Sequence, residues 1–398
     1  MPAFPSSYWR LWWATGIDNA GDGAFAVAVP LLAVTITRDP RLVSVVSAAT
    51  YLPWLLLSLP AGALADRHDR VALMWRSQAV QAVLAGAVAV LAATGRTTLA
   101  SLAAAAFALG CCDVVFDNAS QAFLPEIVPK SLLPRANGAL QAITTAGVQF
   151  FGPPLGSALF ALAVALPFGL DAGSFALSAS LLATLPRRPR HPRARAPITG
   201  GWRWLARHRL LRTLAILLGV NTFCGQLAAA TLVLLATQTL HVSTTGYGVL
   251  LAGAALGGLL GGLVNARAVT RFGPLPTLLA ALAGNSAVFV GIGLSPGAVP
   301  LGVLLAANGL ATTLWNVVTV SLRQQLVPDE LRGRVTSVYK LLGRGLIPLG
   351  TLTGGLVAHA FGLRAPYPVA GVLRALALLA ALPVLVPALR SASPDRET

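Results

Sequence analysis

Acidic residues are scarce in this chain: 13 Asp and Glu stand among 398 residues, against 29 Lys and Arg. Charged residues of both signs make up only 11%, too few to coat a soluble protein of this length. Cysteine is nearly missing. Cys111, Cys112 and Cys224 have no CxxC spacing and no neighbouring histidine, so they read as small apolar residues, not as a disulfide framework or metal centre. The five histidines are scattered, form no HExxH, and make no set that anchors a metal. No metal or other cofactor is expected.

What is present is hydrophobic sequence. Apolar residues make up 56% of the chain and mean hydropathy is +0.73. Runs long enough to cross about 30 Å of hydrocarbon recur throughout. They predict twelve spans, near 11–36, 44–64, 71–94, 98–120, 140–161, 167–186, 211–236, 245–265, 274–294, 299–321, 336–361 and 366–389. The start does not read as a cleaved signal, because Asp18 and Asp22 interrupt the first apolar stretch, which runs straight into the first span with no convincing A-x-A cleavage site.

Charge placement sets an orientation. The side holding the N-terminus carries Arg10, Arg67, Arg70, Lys130, Arg135, eight arginines from Arg187 to Arg209, Arg267, Arg271, Arg323, Arg332, Arg334, Arg390 and Arg396. The other side carries only Arg38, Arg41, Arg96 and Arg364. This positive-inside pattern predicts cytoplasmic termini in the cell's inner (plasma) membrane. With no soluble domain to hold a groove, the formal charge of +16 does not indicate nucleic acid.

The chain also contains itself twice, at an offset of 199. Gly62 opens GALADRHDR and Gly261 opens GGLVNARAVTR; Val128 opens VPKSLLPRAN and Val327 opens VPDELRGRVT; Gly156 and Gly355 complete the series. The predicted organisation is an N-terminal six-helix bundle (1–185), a basic linker (186–210) and a C-terminal six-helix bundle (211–398). The first half of the linker, rich in Pro and Arg, reads as extended or disordered. The second half, WRWLARHRLLR, reads either as an amphipathic helix on the cytoplasmic leaflet or as a plain solvated linker.

The GALADRHDR turn, together with the duplicated twelve-span pattern, resembles the major facilitator superfamily, whose signature there is Gly-x-Leu-Ala-Asp-Arg-x-Gly-Arg. Gly62, Leu64, Ala65, Asp66, Arg67 and Arg70 fit, and Asp69 stands in place of glycine. The second copy keeps Gly261 and Leu263 and has Asn265 at the acid's place. The resemblance implies an all-α membrane protein of two pseudo-symmetric bundles that alternates between inward- and outward-open states. It also implies a conformational latch at Gly62, Asp66, Arg67 and Arg70, with Asp117 or Glu126 as carboxylate partners. The alternative is that these charges only set topology. GPPLGS in span 5 resembles an element of exporting, antiport-type members, carried here by Gly152, Pro153 and Gly156, with Ser157 replacing a glycine. Ordinary helix packing is the other reading. The wider pattern, including DNAGDGAFAVAVPLLAV and LVPDELRGRVTSVYK, resembles the bacterial drug and siderophore exporter branch, where enterobactin and macrolide efflux proteins belong. Some relatives in that branch move lysophospholipids.

Five acids lie at membrane depth: Asp18, Asp22, Asp113, Asp117 and Asp171. Each costs about 2.5–3.5 kcal/mol on lenient insertion scales and therefore needs a partner or a purpose. Asp18 and Asp22 share a helix face, and Asp22 lies about 16 Å past Leu11 at 1.5 Å per residue. Asp22 is the first candidate for proton coupling, followed by Asp18 and Asp113; a structural hydrogen bond to Asn19 or another span is the alternative for Asp22. A local structural role is expected for Asp171. Lys340 and Arg344 are expected to brace a closed state, and Arg374 to neutralise a buried acid or an anionic substrate group. Candidate substrate-cavity residues are Asn19, Gln149, Asn221, Gln226, Asn308, Trp315 and Asn316.

These readings converge on a transporter, not an enzyme: proton-coupled efflux of a hydrophobic or amphipathic small molecule. No GxxxxGK[ST] loop is present to make ATP the direct energy source. Alternatives are a lysophospholipid transporter of the same fold, or a non-transporting sensor or scaffold. The expected partners are the small-molecule substrate, protons and the bilayer, and the expected state is a monomer.

Overall fold

The computed structural model describes residues 4–186 and 199–391. Among them every regular element is helical. Backbone groups in hydrocarbon must be satisfied within their own segment, so long apolar runs become helices. The Pro- and Arg-rich stretch 187–198 lies outside the described residues.

Contacts divide the chain into two compact units, Met1–Ala194 with Val242–Ala252, and Arg195–His241 with Gly253–Thr398. In chain order, α1 is Ser6–Ile36, α2 Pro40–Arg67, α3 Arg70–Ala93, α4 Leu99–Ile127, α5 Leu133–Thr145, α6 Gly152–Leu162 and α7 Leu166–Ala183. There follow α8 (Thr199–Arg207), α9 (Arg209–Ala229), α10 (Leu232–Leu234), α11 (Thr244–Phe272), α12 (Pro274–Leu294), α13 (Ala298–Leu326), α14 (Asp329–Gly345), α15 (Ile347–Phe361) and α16 (Pro366–Ser391).

Eleven described stretches are long and apolar enough to cross a bilayer. The twelfth span is residues 133–162, made of three consecutive pieces: α5, a π-helical segment Ala146–Phe151, and α6. The Pro153-Pro154 pair explains the break. Two missing N–H donors leave the preceding carbonyls without their usual partners, and the Gly152 N–H reaches Gly147 O, five residues back. The corresponding place in the second repeat is also broken, between α14 and α15, where Pro348 opens the new helix.

Several helices outrun their apolar runs at the basic end. α2 continues to Arg67, α4 to Ile127, α11 to Phe272 and α13 to Leu326. Polar ends continue a helix once the apolar middle has nucleated it. Asp69 replaces the glycine of the family signature and acts as the N-cap of α3, accepting from Val71 N at 2.9 Å. Only His68 and Asp69 separate α2 from α3.

Packing repeats between the units. In the first, α3 lies against α7 and α1 against α7 and α6; in the second, α12 lies against α16 and α9 against α16 and α15. Each basic end is pinned by a buried tyrosine. Tyr8 donates to Ala136 O at 3.1 Å, and Tyr339 donates to Leu211 O at 2.7 Å. Outward faces carry exposed Val83, Leu162, Val303 and Leu376, as helices in lipid do.

Candidate functional site

The polar centre of the first unit is assembled from four helices. α1 supplies Asp18 and Asp22, α3 Gln78 and Gln81, α4 Asp113, and α7 Asp171 with Ser174. Asp18 is 3% exposed and Asp171 fully buried, whereas Asp22 and Asp113 are half-buried. Asp113 acts electrostatically on each of the other three acids, so the four carboxyls share one environment. Gln81, fully buried, donates its side-chain amide to Asp113.

Carboxyl oxygens of two of these acids are buried without a hydrogen bond. Both carboxyl oxygens of Asp171, and Oδ1 of Asp18, meet no hydrogen-bond partner among the described residues. Ser174 donates to the main-chain O of Asp171 at 2.8 Å. A buried carboxylate without donors is costly, and four acids in one apolar bundle repel one another when ionised. Asn19 donates to Thr15 O at 2.7 Å, one turn back on its own helix.

The span 5 motif packs directly on the acid-bearing helix. A Cβ at Gly147 would strike the main chain at Asn19 and Ala20, one at Gly152 would overlap Gly23, and one at Gly156 would meet Ala24. Gly152, Pro153 and Gly156 are all buried. Only small residues allow this approach to the helix carrying Asp18 and Asp22. Within the same unit, Ser157, which stands where the family pattern has glycine, abuts Gly248.

At the basic end Arg70 pairs with Glu126 and donates to Ala122 O at 2.8 Å. Of the two carboxylates expected for it, Glu126 is the one it meets. Both lie in the first unit, so the pair ties α3 to the end of α4 and needs no contact with the other half. Asp117 accepts from Gln121 at 2.6 Å. Gly62 is buried near the end of α2 and Arg67 is exposed. The side chain of Asp66 lies outside the described ones.

The second unit has no acid at such depth, but it has a buried base. Arg374 donates to the Asn285 side chain and to Asn221 O at 2.7 Å, and lies 4.0 Å from the Phe289 ring centroid. Asn285 in turn donates to Thr312 at 3.1 Å. The expectation that Arg374 neutralises a buried acid is therefore corrected: its guanidinium is held by neutral acceptors and an aromatic face.

The cavity candidates divide. Asn19, Asn221, Gln226 and Asn308 are half-buried, and Gln149 and Asn316 are exposed. Trp315 is 3% exposed inside the hydrophobic core around Leu214, Leu278 and Tyr339, which removes it from the set of ligand contacts. Lys340 and Arg344 are exposed on α14. Sequence reading left out Gln78 and Gln81, whose signal was present as two amides three residues apart in an apolar span. One short motif, Gly293-Leu294-Ser295-Pro296-Gly297, fits GxSxG. It forms the turn between two helices, and the buried Ser295 donates to Ile292 O at 2.9 Å, so it is no nucleophile elbow.

Two packed helical units, repeated in sequence and enclosing charged groups at membrane depth, define a multi-pass transporter of the major facilitator type. The chain belongs to the family described as transmembrane secretion effector, whose model matches residues 2–397. It is 28% identical over 371 residues to the multidrug efflux pump Tap of Mycobacterium tuberculosis, covering 89% of this chain and 87% of that protein. It is 29% identical over 370 residues to the Tap pump of Mycolicibacterium fortuitum, covering 88% of each chain. Among solved structures, an inward-facing bacterial homologue of the iron transporter ferroportin superposes with a TM-score of 0.74 at 18% identity, covering 97% of this chain and 99% of that one. A bacterial homologue of the lysosomal transporter Spinster gives 0.71 at 16%, covering 98% of each. These relatives are transporters, not enzymes.

Proposed function

We propose that this chain exports a hydrophobic or amphipathic small molecule, a drug, siderophore or secondary metabolite, in exchange for inward-moving protons. The single observation that carries the coupling is the carboxyl cluster of Asp18, Asp22, Asp113 and Asp171, two members of which bury carboxyl oxygens without a hydrogen bond. Such a cluster takes up protons to relieve repulsion and releases them when water reaches it. Half-buried Asp22 and Asp113 are the members open to that exchange, and Asp22 is the first choice for the coupling acid. Export is favoured by the Tap relatives and by the glycine face of span 5. The reading places both termini in the cytoplasm, the protein in the plasma membrane as a monomer, and transport in alternating access. Arg70 with Glu126, together with Gly62, Asp66 and Arg67, then sets the balance of states at the cytoplasmic end.

The test is uptake into everted vesicles under an imposed pH gradient, using a panel of dyes, antibiotics, siderophores and lysophospholipids. Accumulation that collapses when the gradient is dissipated supports proton exchange. Accumulation of every transported compound that ignores the collapse removes it. Transport confined to lysophospholipids would replace the substrate class and leave the coupling test intact.

A further inference from the structure

An apolar hollow lies in the second unit, between α8, α9 and α14. Its volume is about 400 Å³, within the range of about 300–1,000 Å³ common for small-ligand sites. Trp202, Leu205, Ala215, Ile216, Leu342 and Leu346 form its walls, and Arg212 is its one charged lining residue. α8 is the described part of the basic linker. Leu205 anchors it in the core, and Trp202, 55% exposed, stands at the rim.

The surroundings select a ligand. Arg203, Arg207, Arg209 and Arg212 are all exposed on α8 and the first turn of α9. Neither α8 nor α9 carries an Asp or Glu. Arg212 uses one N–H on Ala206 O at 2.9 Å, and a guanidinium has five. Ile216 is 58% exposed on a membrane-spanning helix, so the hollow opens toward hydrocarbon as well as toward its basic rim. An apolar slot joined to an arginine cluster at a helix end fits a molecule with a chain at one end and an anion at the other.

We propose that this groove binds one anionic phospholipid of the surrounding bilayer, with an acyl chain along Ala215, Ile216 and Leu342 and the phosphate on Arg212 and Arg209. The site reaches the helix break of span 11. Leu346 forms the break between α14 and α15, and a Cβ on Gly219 would meet its Cδ1 at 3.0 Å. A chain lying against Leu346 stiffens that break, so lipid occupancy tunes how span 11 bends.

The experiment is native mass spectrometry of the full chain in detergent, titrated separately with dioleoyl phosphatidylglycerol, dioleoyl phosphatidylcholine, dihexanoyl phosphatidylglycerol and inorganic phosphate. The first long-chain phosphatidylglycerol should bind at least fivefold more tightly than phosphatidylcholine. Arg212→Gln should reduce that preference about fivefold, the weight of one arginine near a membrane surface. Gly219→Leu, which fills the slot, should abolish the advantage of long over short chains. If that variant does not fold, Ile216→Trp at the exposed mouth serves the same purpose. Equal binding of both headgroups, a preference unmoved by Arg212→Gln, or inorganic phosphate displacing the long-chain lipid would overturn the proposal. Displacement of the lipid by a transported dye would overturn it too, by making the groove part of the substrate route.

Discussion

Arg374 stands over the Phe289 ring, its guanidinium carbon 4.0 Å from the ring centroid, and reaches α12 and α9 at once through Asn285 and Asn221. A planar fork makes this possible, because separate N–H groups serve separate acceptors while the face stacks. Arg374→Lys keeps the charge but reaches at most one acceptor and loses the stacking. Arg374→Met loses both hydrogen bonds but also removes a buried cation that no carboxylate compensates. The lysine variant should therefore be the less stable of the two. Thermal unfolding of the purified variants checks the order, and a methionine variant that unfolds at the lower temperature would show that the two hydrogen bonds outweigh the buried charge.

Arg70 and Glu126 are both partly exposed, with side chains 23% and 36% accessible. A pair so placed is worth at most about 1 kcal/mol. Glu126→Gln should leave folding nearly unchanged, since Arg70 keeps Ala122 O. Arg70→Ala should cost more, because it strips both contacts between α3 and α4. A double-mutant cycle on stability should return a coupling below about 1 kcal/mol. A transport defect far larger than this in either variant would assign the pair to switching and not to support.

Glycines on span 5 and α1 offer a sharper contrast. An alanine at Gly152 or Gly156 drives a methyl group into the main chain of α1, and overpacking of this kind costs about 1–3 kcal/mol. At Gly173, on α7, nothing lies within 4 Å of the added carbon, and alanine there gains about 0.5–1 kcal/mol of helix preference. Gly152→Ala and Gly156→Ala should lower the folded yield and the unfolding temperature, while Gly173→Ala should hold or raise both. Equal behaviour of the three would mean that span 5 does not press on α1.

The comparison between sequence and structure turns on distance along the chain. Span positions, the family signature and the small-residue face of span 5 depend on local composition and spacing, and were legible. Partners contributed by remote helices were not. Arg374 finds its acceptors 89 and 153 residues away. Asp171 looked like a local feature because its neighbour Ser174 is local, while the acids that act on it sit on α1 and α4. Trp315 has the polar company of a cavity residue in sequence, yet the face of α13 that carries it packs into the core. The π segment of span 5 is set by two adjacent prolines, which mark a kink without specifying its register.

The carboxyl cluster separates coupling from carriage. Asp22 is half-buried among acids, and its replacement by asparagine keeps shape while removing the proton site. Asp22→Asn should abolish gradient-driven accumulation in everted vesicles yet leave counterflow of the same compound, because exchange needs the cavity and the rocking motion but no net proton movement. Asp117→Asn, near the basic end and bonded to Gln121, should retain accumulation within about twofold, a change worth under 1 kcal/mol. Gln81→Leu leaves Asp113 without its amide donor and should shift the pH dependence of accumulation while the protein still folds. Full accumulation by Asp22→Asn would move the coupling role to Asp18 or Asp113, and full accumulation by all three asparagine variants, Asp18→Asn, Asp22→Asn and Asp113→Asn, would end the case for proton exchange.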